Sequence, residues 1–182
     1  MKKLDIILQN TRIRKAAKFI RKGDEVLDIG SVDGVMFEKL RHVINGGTGI
    51  DPTLEQEIKT DVYHLIPGYF PDVVPQGKTF DAITMLAVLE HIPLDKQQAL
   101  VENCWKYLNK NGRVIITVPS PAVDYVLSVL LFFKLVDGMA LEEHYGFEAK
   151  DTDKLFVGKY FKMIHHSTFQ LGLNHLFVFE KI

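Results

Sequence analysis

Read from its amino end, the chain first shows apolar residues at helical spacing. Ile13, Ala16, Ala17 and Ile20 recur among basic residues, which predicts an amphipathic helix over 10–22 that Gly23 ends. The period then changes. The run EVLDI over 25–29 is short and nearly all apolar, as expected of a buried strand. Helical spacing returns over 33–44, with Phe37, Leu40 and Ile44 on one face. Gly46 and Gly47 break the chain, and TGID over 48–51 reads as a second strand closed by Pro52. A strand–helix–strand unit of this length suits a parallel pair.

The alternation continues. A third strand is predicted over 57–62, EIKTDV, and Pro67, Pro71 and Pro75 impose irregular chain after it. FDAITMLAV, over 80–88, is the clearest strand. A helix over 95–109 follows, with Ala99, Leu100, Cys104, Tyr107 and Leu108 on its apolar face. Asp95 is its expected N-cap and Gly112 its stop. The run RVIITVP over 113–119 is the next strand. Strands alternating with helices predict a parallel sheet covered on both faces. The tail breaks that rhythm. Strands over 160–169 and 175–181 are separated only by QLGLN, too short for a crossover helix, so they pair antiparallel.

Composition narrows the function classes. The 182 residues read as one domain, and 47% hydrophobic with 25% charged residues is ordinary globular usage. A net charge of -1 argues against a nucleic-acid partner, which needs a basic face. The one cysteine, Cys104, excludes an internal disulfide framework and reads as a buried, inert thiol. The basic start has no long apolar core behind it, so no signal peptide is expected. The apolar run over 122–136 is broken by Asp124 and Lys134, and falls short of the ~20 residues that span a bilayer. It reads as a core or lid helix. Its alternatives are a dimer contact, a pocket for an apolar substrate or a peripheral membrane contact. The expected location is cytoplasmic.

The chemistry gathers at GSVDG, 30–34, which follows the first strand. In parallel α/β sheets, ligands bind at the carboxyl ends of the strands. Glycine permits positive φ and close backbone approach there. Asp51, ending the second strand 17 residues after Gly34, is placed to take ribose hydroxyls. The spacing G-x-x-x-G does not match the pyrophosphate loop G-x-G-x-x-G, and Asp28 is a poor neighbour for phosphate. A nicotinamide-dependent oxidoreductase is therefore disfavoured. Asp28 suits a cationic group, such as the amino group of a methionine moiety.

Four stretches together resemble the class I S-adenosylmethionine-dependent methyltransferases, in particular the group acting on small molecules. They are EVLDIGSVDG at 25–34, GIDP at 49–52, FDAITMLAVLEHIP at 80–93 and LNKNGRVIITVP at 108–119, in the family's order. The resemblance implies a Rossmann-like three-layer sandwich. Its sheet has seven mostly parallel strands and ends in a C-terminal antiparallel hairpin. It also implies a single domain over 1–182: an N-terminal helix to 23, a cofactor half over 24–119 and a substrate side over 120–182. Carried over, Asp28, Gly30 and Ser31 line the methionine end of S-adenosylmethionine, and Gly34 opens the helix behind it. Asp51 takes the ribose, with Ile50 and Pro52 beside the adenosine. Asp61 faces the adenine amino group and Val62 the ring. Leu86 and Ala87 form the floor, with Glu90 and His91 at the rim.

One position departs from the family. Val32 stands where the family commonly has a further glycine, which raises two alternatives: an ordinary backbone there, or a protein that binds the cofactor poorly and serves as a regulatory module. For a general base, His91, His144 and Tyr145 are the candidates. His165 and His166 are adjacent on a strand, point to opposite faces and cannot act as a pair. Glu142, Glu143 and His144 are consecutive and cannot converge on one ion, so no metal is expected.

Overall fold

The computed structural model describes residues 3–120 and 149–182. Helix α1 (Lys3–Ala16) passes through a 3-10 turn (Ala17–Phe19) into strand β1 (Glu25–Ile29). There follow α2 (Val35–Leu40), β2 (Gly46–Asp51), β3 (Ile58–Lys59), β4 (Tyr63–Pro67) and β5 (Phe80–Leu86). A second 3-10 turn (Leu89–His91) leads to α3 (Leu94–Tyr107) and β6 (Leu108–Pro119). Helix α4 (Asp151–Phe156) and strands β7 (Phe161–Phe169) and β8 (Asn174–Lys181) complete the described chain.

One sheet holds all eight of these strands in the order β3-β4-β2-β1-β5-β6-β8-β7. The pairs β1–β2, β1–β5, β2–β4 and β5–β6 are parallel. The pairs β6–β8 and β7–β8 are antiparallel, which places the predicted hairpin at one edge. The strand alternation sorts side chains into two cores. Leu27, Ile83, Ile116 and Phe179 pack with Val101 and Cys104 of α3 and Phe156 of α4. Val26, Ala82, Ile115 and Val178 pack with Ile13 and Ala16 of α1 and Phe37 and Leu40 of α2. Helices on both faces make the expected three layers.

Several boundaries differ from the sequence reading: α2 is shorter than the helix expected over 33–44, Gly46 and Gly47 open β2 rather than break the chain, and Gly112 lies inside β6, α3 having already ended at Tyr107. Helix α1 begins at Lys3 and ends at Ala16, where the chain tightens into the 3-10 turn, and the Phe19 carbonyl beyond it accepts from the Arg113 guanidinium at 2.9 Å. Pro93, not Asp95, is the N-cap of α3, and Asp95 lies in its first turn. The predicted third strand divides in two. The Thr60 hydroxyl accepts the N–H groups of Val62 and Tyr63, at 3.1 and 3.0 Å, and closes a turn there. Before the turn, two exposed residues form the antiparallel edge strand β3; after it, β4 makes the parallel pair with β2. This short edge strand is the eighth, beyond the seven expected.

Candidate active site

The parallel strands β4, β2, β1, β5 and β6 all end at one edge. Strand order reverses at β1, with β2 on one side and β5 on the other, so the crevice opens there. The chain leaving β1 turns sharply over it. Gly30 has φ +87 and donates its N–H to the Ile50 carbonyl at 2.8 Å. A Cβ on Gly30 would stand 2.4 Å from Val88 Cγ2. Gly34, with φ +65, is the N-cap of α2, and a Cβ there would meet the Tyr63 ring at 2.7 Å. Both glycines are thus demanded by backbone angle and by space. Val32 is not among the residues with positive φ, and its side chain is 56% exposed. The loop turns on its two glycines and leaves an ordinary backbone at Val32.

Beneath the loop lies Asp28, 7% exposed. Thr84 Oγ1 donates to Asp28 Oδ1 at 2.6 Å, and the Ser31 hydroxyl donates to the same carboxylate. Burial raises the Asp28 pKa to about 7; these hydrogen bonds oppose the rise, and the nearby Asp33 and Asp51 charges add to it. A cationic ligand group would restore the charged form. Asp51, also 7% exposed, ends β2 with Oδ1 receiving the Thr53 N–H at 2.7 Å. Ile50 is fully buried beside it, and Pro52 is exposed.

Leu86 and Ala87 close β5 at the same edge. Ala87 is left-handed, with φ +63, and its N–H donates to the Thr117 carbonyl at 2.9 Å. A non-glycine residue in that region costs on the order of 1–3 kcal/mol and marks functional sites more often than others. No pattern in the sequence announces this strain. Glu90 is 2% exposed, and His91 lies exposed at the rim as the last residue of its 3-10 turn.

Not every predicted residue joins this group. Asp61 and Val62 precede β4, so they lie at the amino edge of the sheet. Asp61 is exposed and pairs with Arg41 at 3.0 Å, and the Val62 carbonyl accepts the Gly47 N–H. The shift follows from the divided third strand. Beside Asp51 the register instead places Pro67, and Gly68 donates its N–H to the Asp51 carbonyl at 3.2 Å. The His165 ring packs on Phe19 at 4.7 Å, while His166 stacks on Phe177 at 4.3 Å. Phe19 and Phe177 belong to opposite faces of the sheet, as strand parity requires. His144, Tyr145, Glu142, Glu143 and the run over 122–136 lie outside the described residues.

A family model described as a methyltransferase domain matches residues 7–166. The N-methyltransferase NodS from Bradyrhizobium japonicum superposes with a TM-score of 0.69 at 12% identity, over 96% of each chain. The same enzyme in complex with S-adenosyl-L-homocysteine gives 0.66 at 14% identity, over 96% of this chain and 87% of that one. Magnesium protoporphyrin IX methyltransferase from Synechocystis, also with bound S-adenosyl-L-homocysteine, gives 0.63 at 14%, over 97% and 82%. No curated protein sequence matches the chain.

Proposed function

This chain belongs to the methyltransferase domain family and is an S-adenosylmethionine-dependent methyltransferase; from that premise we propose that it methylates a small-molecule acceptor, with carbohydrate or lipid-linked compounds as the candidate class. The cofactor fits the donor set. The carboxylate beneath the glycine turn is buried beside two other carboxylates, which favours the ammonium of a methionine moiety. The space a Cβ on Gly30 would need is already filled by Val88, so only bare backbone can line the cofactor there.

In this reading Asp28, Gly30 and Ser31 hold the methionine end, and Gly34 starts the helix behind it. Asp51 takes the ribose hydroxyls, Ile50 and Pro52 flank the adenosine, and Leu86 and Ala87 form the floor. Pro67 and Gly68 replace Asp61 and Val62 on the adenosine side. When bound, the cofactor supplies a methyl group already activated on sulfur. The protein's task is then alignment, which alone contributes large effective molarities. A general base at the rim would add roughly 10²–10⁴-fold where the acceptor must lose a proton. His91 is our candidate among the described residues, with His144 or Tyr145 as the alternative.

The observation that carries the reading is the buried Asp28 under the Gly30 turn. A near-neutral chain supports a small acceptor over nucleic acid. The test is a thermal-shift titration with S-adenosylmethionine, S-adenosyl-L-homocysteine and NAD. Either of the first two, at 100 times its Kd, should add about 2.7 kcal/mol of stability. Stabilisation by NAD alone would overturn the proposal.

A further inference from the structure

A second polar group stands on the α1 face of the sheet, beside the cofactor cradle. Strand parity places Asp28, Thr84, Leu86, Thr117, Leu176 and Asn174 on this one face. Thr117 pairs with Leu86 on one side and Leu176 on the other. Gly30 lies one residue beyond the pair Ile29–Met85, so Thr117 sits two strands away from it, about 10 Å at ordinary strand spacing. That places Thr117 beside the edge across which a small acceptor would lie, buried beneath helix α1.

Helix α1 covers this point. Gln9 Nε2 donates to Asp33 Oδ2 at 2.7 Å, which ties the helix to the glycine loop. One turn on, Arg12 Nε donates to Asn174 Oδ1 at 3.4 Å, and Asn174 Nδ2 donates to Gln170 Oε1 at 2.6 Å. The guanidinium is desolvated, and Glu90 acts on its charge through space. Thr117 is 0% exposed, and among the described residues its Oγ1 has no hydrogen-bond partner. A buried hydroxyl without a partner is uncommon and calls for an explanation.

The side-chain amide of Asn174 is engaged at both ends. What the cluster still offers is donors: the terminal nitrogens of Arg12 and the Thr117 hydroxyl. Two donor groups together suit an acceptor-rich ligand, and the guanidinium fork matches carboxylate or phosphate. We propose that Arg12 and Thr117, with Asn174 orienting the guanidinium, form a subsite for an oxyanion, carboxylate or phosphate, carried by the methyl acceptor. This rests on the methyltransferase reading and deepens it by naming a feature of the acceptor. Arg12 would also answer the carboxylates Asp28, Asp33 and Asp51, which otherwise make this edge hostile to an anionic substrate.

The probe is inorganic phosphate, titrated into protein saturated with S-adenosyl-L-homocysteine, against chloride at matched ionic strength. Phosphate should stabilise the wild type beyond chloride. Its Kd should rise at least tenfold in Arg12→Met and in the near-isosteric Thr117→Val, with Arg12→Lys recovering part of the loss. Affinity for S-adenosyl-L-homocysteine should stay within twofold in every variant. Circular dichroism identifies any variant that fails to fold, and Thr117→Val carries the test if Arg12→Met does. No phosphate-specific effect in the wild type, or an equal effect in the folded variants, would overturn the subsite. A tenfold loss of S-adenosyl-L-homocysteine affinity in Arg12→Met would assign the guanidinium to the cofactor instead. Failure of the wild type to bind S-adenosyl-L-homocysteine would sink the methyltransferase reading, and this inference with it.

Discussion

Replacing Asp28 by asparagine should make the free protein more stable while weakening its hold on the cofactor. The side chain is 7% exposed and its pKa is raised from 3.8 to about 7. A folded carboxyl that holds its proton more tightly than the unfolded chain loses stability as pH rises from its unfolded to its folded pKa. The loss is complete above pH ~7, and a shift of about 3 units corresponds to about 4 kcal/mol at pH 8. At pH 5 only about 1.7 kcal/mol of it has accrued. Asparagine removes this penalty and keeps an oxygen for the Thr84 hydroxyl, which now donates at 2.6 Å. It gives up the second carboxylate oxygen, at a cost of about 1 kcal/mol. Urea denaturation without cofactor should therefore find Asp28→Asn more stable than wild type by about 3 kcal/mol at pH 8, and by about 2.5 kcal/mol less than that at pH 5. Calorimetry at pH 8 should find at least a tenfold loss of S-adenosylmethionine affinity. Equal stabilisation at both pH values, or a variant destabilised at pH 8, would refute the assignment of a desolvated carboxylate.

Other substitutions probe separate parts of the fold. Ala87→Gly should raise stability by about 1 kcal/mol in denaturation experiments, because glycine accepts the left-handed backbone, whereas Ala87→Val should lower it. Gly30→Ala should abolish S-adenosyl-L-homocysteine binding by calorimetry, with Val88→Ala recovering part of it by clearing the 2.4 Å approach. Arg113→Met should cost about 3–5 kcal/mol by urea denaturation, since it strands Asp24, now paired at 2.7 Å and 6% exposed. Adding Asp24→Asn should restore much of that. Burial pushes the Cys104 thiol well above its ordinary range, so iodoacetamide should label it only in denaturant, as mass spectrometry would read.

The alternation of periods along the chain was enough to read the parallel sheet and the antiparallel hairpin. Strong apolar runs such as 80–86 and 113–119 leave little freedom in period or direction. The third strand was not legible. Ile58 and Lys59 are exposed, and β4 pairs a half-buried Tyr63 and His64 with two buried residues, so neither shows a clean period. Its turn depends on the Thr60 hydroxyl, which sequence spacing does not reveal. Moving that strand carried Asp61 and Val62 away from the edge where Asp28 and Asp51 meet. The glycine loop was legible because both glycines are forced by φ and by close contacts. The left-handed backbone at Ala87 was not, since nothing in the sequence around this alanine marks a positive φ. Arg12 and Thr117 were not either, because only strand parity and the path of α1 bring them to one place.

The Arg113 clamp has a bearing on how this protein could be re-engineered. Its bonds to Asp24, Phe19 and the Asp81 carbonyl all lie at the amino ends of β1, β5 and β6. The ligand edge is at the other end of those strands, about 13 Å or more away at the usual rise per residue. Effects of substitutions so far apart add, to within a few tenths of a kcal/mol. Reserve stability installed around the clamp would therefore be available to offset costly changes in Arg12, Thr117 or the glycine loop. Acceptor preference could then be rebuilt on one rim while thermal tolerance is raised on the other.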